Sequence, residues 1–378
     1  MTMKIMHVGE YIKGGVYTYL FDVLEYQSKF QNALIYLVAS EYKSEKEYPV
    51  EEDNIFFYKY RRNPFYMIYA TIYIFILIKK VKPDIIHVHS TFAGLFVRLP
   101  YLLLPNKNVE IIYCSHGWSF LMETSNFTRK LYIQIEKNLS KVTNKIINIS
   151  MFEQIESIKV GITKNKSVLI YNGTKKINDE KLYSPTLNNI DKTKINILFV
   201  GRFDRQKGID ILINLIEDIS NKQIHFYLIG DSVLGNKQNT NFKLPENATK
   251  IGWIKNEEID DYYQSVDAVI IPSRWEGFGL VAIEAMKNKK AVISSNRGAL
   301  PELIQNDING YIFDMDNLKS LKLIIEKLDK NTLKDLGENG YTRYLKYFTS
   351  EKMNNEILTV YNSLISQEKI IKKDENHA

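Results

Sequence analysis

A single cysteine, Cys114, stands among 378 residues, so no intramolecular disulfide framework holds this chain and its stability must come from buried cores. No N-terminal stretch joins a charged start, an apolar centre and a small-residue end, and the expected setting is a reducing cytoplasm. Long apolar runs are also scarce. The uncharged run FYMIYATIYIFILI at 65–78 has 14 residues, short of the roughly 20 that cross a bilayer. It predicts a helix that is mainly core, the alternative being that one end of it also meets a membrane surface.

What is present is enough for two cores. A chain of 378 residues exceeds a single core, and 45% hydrophobic with 12% aromatic residues leaves little room for disorder outside the C-terminal KKDENHA. Charge is uneven: residues 1–181 carry 24 Lys and Arg against 17 Asp and Glu, the remainder 26 against 27. The excess gathers in YKYRR, KKVK and RK of the first half, beside the aromatic run. That pattern suits peripheral contact with an anionic membrane better than nucleic acid, because the basic residues flank aliphatic stretches and the second half is near neutral.

Short β-rich runs alternate with helical patterns: KIMHVGE, NALIYLVAS, DIIHVHS, EIIYCSHG, KIINIS and SVLIYNG in the first half. A polar stretch, KLYSPTLNNIDKTK, interrupts them, and INILFVG, HFYLIGD, TKIGWI, DAVIIPS and KAVISSN follow. Such alternation means βαβ units and parallel sheets. The sequence therefore predicts an α/β protein of two doubly wound, Rossmann-like domains, with ligand groups at the carboxyl ends of strands where the two sheets face across a cleft. The expected boundaries are a first domain at 1–180, a linker at 181–194 and a second domain at 195–348. A closing helix at 349–367 packs back on the first domain, and a flexible tail at 368–378 follows.

Two loops carry the chemistry. INILFVGRFDRQKGID runs a strand into Gly201, Arg202, Lys207 and Gly208, which supply the close backbone approach and cations that a diphosphate requires. It is not a Walker loop, since the Gly-Lys-Ser/Thr ending is missing. In SRWEGFGLVAIEAM, Glu276 precedes a Gly-Phe-Gly turn and Glu284 lies about one turn into a helix starting near Leu280. The N–H groups of Phe278, Gly279 and Leu280, with the helix dipole, favour phosphate charge without a metal ion. Eight residues apart, the two glutamates fit different parts of one extended ligand better than a paired-carboxylate hydrolase.

Together these residues resemble glycosyltransferase family 4, the retaining, metal-independent nucleotide-sugar transferases of GT-B fold. The resemblance spans nearly the whole chain: GEYIKGGVYTYL, PDIIHVHS, CSHG, IYNGTKK, the Gly-Arg…Lys-Gly loop, SRWEGFGLVAIEA, RGALPELI and NGYIF. It implies that Arg202 and Lys207 bind a donor diphosphate and that Gly15 lets the first loop approach it. Glu284 would hold the ribose, Ile254 would lie beside the base, Glu276 would hold the sugar near its anomeric carbon, and His116 would line the reaction centre. Val16 and Tyr17 follow the glycine pair where the family often has a small residue, which shapes the acceptor side differently.

The implied donor is a nucleoside-diphosphate sugar, UDP preferred, and the implied acceptor a glycan or polyprenyl-diphosphate-linked glycan of bacterial capsule, O-antigen or exopolysaccharide assembly. No cofactor or metal is expected. His87 and His89 share a strand face in HVH without an accompanying carboxylate cluster, and FDMD at 313–316 reads as a helix start with Asp316 or Asn317 as N-cap rather than a metal motif. A nucleotide-sugar epimerase would use the same phosphate groups, and a catalytically silent scaffold would keep the fold alone.

Overall fold

The computed structural model describes residues 2–30, 32–104, 109–177, 190–232 and 244–375. It divides into two compact units, Met1–Gly173 with Ser350–Ala378, and Thr174–Thr349.

Among the described residues, the first unit is built on a seven-stranded parallel sheet. Its strands are β1 (Met3–Gly9), β2 (Ala33–Ser40), β3 (Ile55–Tyr58), β4 (Ile85–His89), β5 (Glu110–Cys114), β6 (Lys145–Asn148) and β7 (Ser167–Leu169). Helices α1 (Gly15–Ser28), α2 (Pro64–Val81), α3 (Thr91–Leu103), α4 (Asn126–Leu139) and α5 (Met151–Lys159) connect them. The strand order is β3-β2-β1-β4-β5-β6-β7. Chain direction across the sheet reverses between β1 and β4, and at such a switch point the loops leaving adjacent strands part and open a crevice. The central strand β4 is buried along its whole length.

The second unit repeats the plan with β8 (Ile195–Val200), β9 (Ile224–Ile229), β10 (Ala248–Gly252), β11 (Ala268–Ile271), β12 (Ala291–Ser295) and β13 (Gly310–Phe313). Helices α6 (Ile209–Asp218), α7 (Ile259–Ser265), α8 (Leu280–Lys287), α9 (Leu300–Leu303), α10 (Lys319–Glu326) and α11 (Lys330–Tyr347) complete it. The order β10-β9-β8-β11-β12-β13 puts its switch point between β8 and β11.

Two boundaries differ from expectation. The first unit ends at Gly173, not 180, because the Thr174 N–H donates to the Phe348 carbonyl (3.0 Å) and Tyr344 Oη donates to the Thr174 carbonyl (2.8 Å), fastening that segment to the end of α11. The expected linker lies outside the described residues as far as 189. The last helix, α12, runs Ser350–Glu375, so the expected end at 367 and the tail from 368 are corrected; residues 376–378 lie outside the described set. α12 groups with the first unit, where Tyr26 Oη donates to Asn355 Oδ1 (2.8 Å).

The N-cap reading of Asp316 and Asn317 is also corrected. α10 starts after Leu318 without a side-chain cap, and the Asp316 carboxylate is drawn instead to Arg297.

α2 shows why its sequence was ambiguous. Asn63 caps it, with Oδ1 accepting from the Phe65 N–H (2.9 Å), Pro64 opens it, and Lys79 and Lys80 occupy its last turn. Ala70, Ile74, Leu77 and Ile78 face the core, while Phe65, Ile68, Tyr69, Ile72 and Ile76 recur at helical spacing on the opposite, exposed side. By length and composition this 18-residue helix is apolar enough to span a membrane. Its inner face packs into the first unit's core, so the core reading accounts for one face and leaves the other uncovered.

Candidate functional site

In the second unit, the loop after β8 and the loop after β11 flank the switch point and are tied to each other. The Arg274 N–H donates to the Gln206 carbonyl (2.8 Å), and Gln206 Nε2 donates to the Trp275 carbonyl (3.3 Å). The Arg274 guanidinium clamps Asp210 with two bonds (2.7 and 2.6 Å), fixing both loops to the start of α6. Gly208 lies so close beneath Pro272 that a Cβ there would fall 2.0 Å from the Pro272 carbonyl oxygen, and its φ is +71°. Only glycine fits this crossing.

This scaffold presents Lys207 and Glu276 to one another as an ion pair, Lys207 about one-fifth exposed and Glu276 nearly buried. Ser273 Oγ donates to the same Glu276 oxygen (3.1 Å). Behind Glu276, Gly298 admits its backbone: a Cβ at 298 would sit 2.0 Å from the Glu276 carbonyl oxygen, which also accepts from the Ala299 N–H (3.2 Å). Arg202 lies on the same loop, its guanidinium held by Gln206 Oε1 (2.7 Å) and Asp204 (3.2 Å). Gly279, at φ +106°, caps α8, whose first residue is Leu280, and Phe278 is buried against Phe348. One turn on, Glu284 Oε2 accepts from Tyr263 Oη (2.8 Å), and burial raises its carboxyl pKa above the ordinary value. Ile254 is half-buried in the loop after β10.

The arrangement is a cation pair, a helix N-terminus and a carboxylate gathered at one sheet's switch point. It can neutralise a bound anion through Arg202, Lys207 and the α8 end, and it leaves Glu276 as an acceptor for hydroxyl groups.

In the first unit, His116 follows β5 with a left-handed backbone (φ +52°) and is half-buried. Its Nε2 lies 3.0 Å from His89 Nδ1, its Nδ1 3.7 Å from Cys114 Sγ, and its ring packs edge-on against Tyr19. His89 Nε2 in turn meets His7 Nδ1 at 3.0 Å, and His7 Nε2 meets Gln27 Oε1 at 2.8 Å. Burial lowers all three imidazoles, His7 to about 4 and His116 to about 3, so they are neutral at pH 7. His7, His87 and His89 together form a buried group with metal-ligand spacing.

The Glycosyltransferase Family 4 profile matches residues 13–175 and the Glycosyl transferases group 1 profile residues 185–343. An uncharacterized 41.2 kDa protein of the cps region of Klebsiella pneumoniae is 35% identical over 88% of this chain and 90% of its own length. An uncharacterized glycosyltransferase of Methanocaldococcus jannaschii is 33% identical over 74% of this chain and 76% of its own. The chain belongs to glycosyltransferase family 4.

Solved structures agree on the fold of this glycosyltransferase, which is GT-B. Sucrose-phosphate synthase from Thermosynechococcus elongatus superimposes with a TM-score of 0.81 at 20% identity, covering 97% of this chain and 100% of that one. Anabaena HepE in complex with UDP-glucose gives 0.75 at 19%, covering 96% and 100%. A UDP-galactose-dependent α-1,3-galactosyltransferase of Escherichia coli, acting on an N-acetylglucosaminyl-diphosphoundecaprenol, is 25% identical over 76% of this chain and 78% of its own.

Within the second unit of the glycosyltransferase, Arg202, Lys207, Glu276, Phe278, Gly279 and Leu280 fall on the two loops at the switch point, with Glu284 inside the adjoining helix. Gly15 is the first residue of α1, and the left-handed glycine of that pair is its neighbour Gly14, the α1 N-cap at φ +59°. Residues that sequence reading passed over are Gln206, Ser273, Gly298, Tyr263, His7 and Gln27. Gln206 and Ser273 stood inside quoted motifs and drew no notice because amides and hydroxyls are common in loops. His7 carried no signal until β1 was paired with β4.

Proposed function

We propose that this glycosyltransferase transfers a hexosyl or N-acetylhexosaminyl group, with retention, from a UDP-sugar to a hydroxyl of a growing lipid-linked glycan in capsule or related polysaccharide synthesis. The observation that carries the reading is the Lys207–Glu276 pair at the switch point, with Arg202 on the same loop and the α8 N-terminus on the adjoining one. The relatives support the wider setting: one lies in a cps region, one uses UDP-galactose on a diphosphoundecaprenol-linked sugar, and HepE is named with UDP-glucose.

In this mechanism the bond between the anomeric carbon and the diphosphate oxygen breaks, and the acceptor oxygen bonds to the same carbon on the same face. The acceptor's proton passes to the departing phosphate oxygen. Arg202, Lys207 and the α8 N-terminus take up the negative charge that develops there, the task a divalent cation performs in other transferases, so the reaction runs without metal. Glu276 accepts from sugar hydroxyls beside the reacting carbon, Glu284 from the ribose, and Ile254 covers the base. In the first unit, the family resemblance assigns Gly15 to the donor diphosphate and His116 to the reaction centre. The enzyme works in the cytoplasm at the inner face of the plasma membrane, with the exposed side of α2 toward the lipid.

The test is thermal stabilisation by UDP, GDP and ADP, with and without Mg²⁺. Stabilisation by UDP independent of Mg²⁺ and lost in Arg202→Ala is expected, while Glu276→Ala keeps nucleotide binding and loses transfer. No shift with any nucleotide overturns the reading.

A further inference from the structure

Three buried side chains and the half-buried His116 form a continuous hydrogen-bonded line in the first unit: Gln27 on α1, His7 on β1, His89 on β4 and His116 after β5, with successive separations of 2.8, 3.0 and 3.0 Å. Gln27, His7 and His89 are 0% exposed, so water does not enter these bonds and each must be satisfied from within the line. The proton positions then follow from one fixed end. Gln27 Oε1 can only accept, so His7 must donate from Nε2. A neutral imidazole has one N–H, which leaves His7 Nδ1 bare to accept from His89 Nε2–H. His89 Nδ1 is bare for the same reason and accepts from His116 Nε2–H.

We infer that Gln27, through His7 and His89, sets His116 as its Nε2–H tautomer and leaves Nδ1 of His116 as a bare acceptor. Three positioning residues therefore decide what His116 can do. Among the described residues the polar partner of that Nδ1 is the Cys114 sulfur at 3.7 Å, a weak one, so the nitrogen is available to accept from a hydroxyl and cannot donate to one. The Gln27 amide is turned so that its Nε2 donates toward Tyr361 Oη on α12 (3.4 Å), and that hydroxyl lies 2.6 Å from His87 Nδ1. A reversed amide would present N–H to His7 and flip every proton along the line, giving His116 the Nδ1–H form.

The tautomer assignment rests on this geometry alone; its bearing on transfer rests on the function proposed above. The experiment is long-range ¹H–¹⁵N correlation on the full chain labelled with [¹⁵N]histidine, which reads both nitrogens of each of the six histidines without substrate. His116 signals are assigned by their disappearance in His116→Asn. A single Nε2–H pattern for His116 is expected in the wild type. It persists in Gln27→Glu, which keeps an acceptor at that end. It is lost to a mixture of both tautomers in Gln27→Leu. An Nδ1–H pattern in the wild type overturns the inference, whether or not the variants fold. So does an unchanged His116 in folded Gln27→Leu, or one equivalent of bound transition metal in the purified protein, because a cation on His7 and His89 replaces the bonds between them. UDP binding in the same samples reports separately on the proposed function.

Discussion

The outer face of α2 is an exposed apolar surface that gains by meeting lipid. Ile68 is 62% exposed and Ile76 61%, with Phe65 at 74% and Ile72 at 54% between and beyond them. Arg61 and Arg62 stand just before the helix, and Lys79 and Lys80 close it, so an apolar stripe about 17 Å long from Phe65 to Ile76 is bracketed by cations. Burying a whole isoleucine side chain contributes about 2.5 kcal/mol, so the exposed part of each is worth about 1.5 kcal/mol on full insertion. For a helix lying at half depth in the interface, Ile68→Gln with Ile76→Gln costs about 1.5 kcal/mol, roughly a tenfold loss in partitioning. The assay is co-sedimentation with vesicles containing anionic phospholipid, at low salt and again at about 0.5 M NaCl, where screening removes the contribution of the basic ends. Both side chains point away from the core, so thermal stability stays within about 0.5 kcal/mol of wild type. Wild-type protein that stays in the supernatant at low salt refutes the reasoning, as does a double variant that partitions unchanged. Concentration-dependent dimers abolished by the same substitutions would assign the face to a second copy instead.

Gly208→Ala is expected to destabilise the second unit by more than about 2 kcal/mol, since it combines a left-handed backbone with a collision against the Pro272 carbonyl oxygen, and to weaken UDP binding as the two loops part. Denaturant unfolding and nucleotide titration check both effects, and a variant that unfolds like wild type counts against the crossing. Acid is expected to unfold the first unit early. His7 is held at about 4 in the folded chain by burial against an ordinary value of 6.5, so the unfolded chain binds the extra proton. Its contribution is complete above pH 6.5 and is lost as pH falls from 6.5 toward 4, about 2 kcal/mol by pH 5. A melting temperature flat between pH 7 and 5 would contradict this.

Much of the second-unit site was legible because its chemistry is local. Gly201 to Gly208 and Ser273 to Glu284 are two short windows, each a strand end running into a helix, and the order of strands and helices already says that such ends converge. What the sequence could not supply was the bracing between the windows. Arg274 reaching Asp210, Gln206 reaching the Trp275 carbonyl and Gly298 admitting the Glu276 backbone are separated by about twenty to seventy residues and use residue types that carry no signal alone. α2 was legible as a helix but not by face, for a different reason. Its sequence is apolar around the whole helix, so periodicity found no polar side to mark as outward, and only packing could show that Ala70, Ile74, Leu77 and Ile78 turn inward.

The histidines show most clearly where a linear reading stops. HVH in β4 looks like a pair with metal-ligand spacing and nothing to complete it. Parallel pairing of β1 with β4 sets His7 directly opposite His87 and Gly9 opposite His89, which puts a third imidazole eighty residues away into the same buried group. Two of its members, His7 and His89, lie in a line of hydrogen bonds. His7 and His89 use both nitrogens, one on each other and one on Gln27 or His116, so each already has the donor and the acceptor that a neutral imidazole requires. Binding a cation would break the bond between them and place uncompensated charge among side chains that the fold keeps neutral. The same switch-point topology that brings the charged loops together in the second sheet thus closes a line of hydrogen bonds in the first, ending at His116.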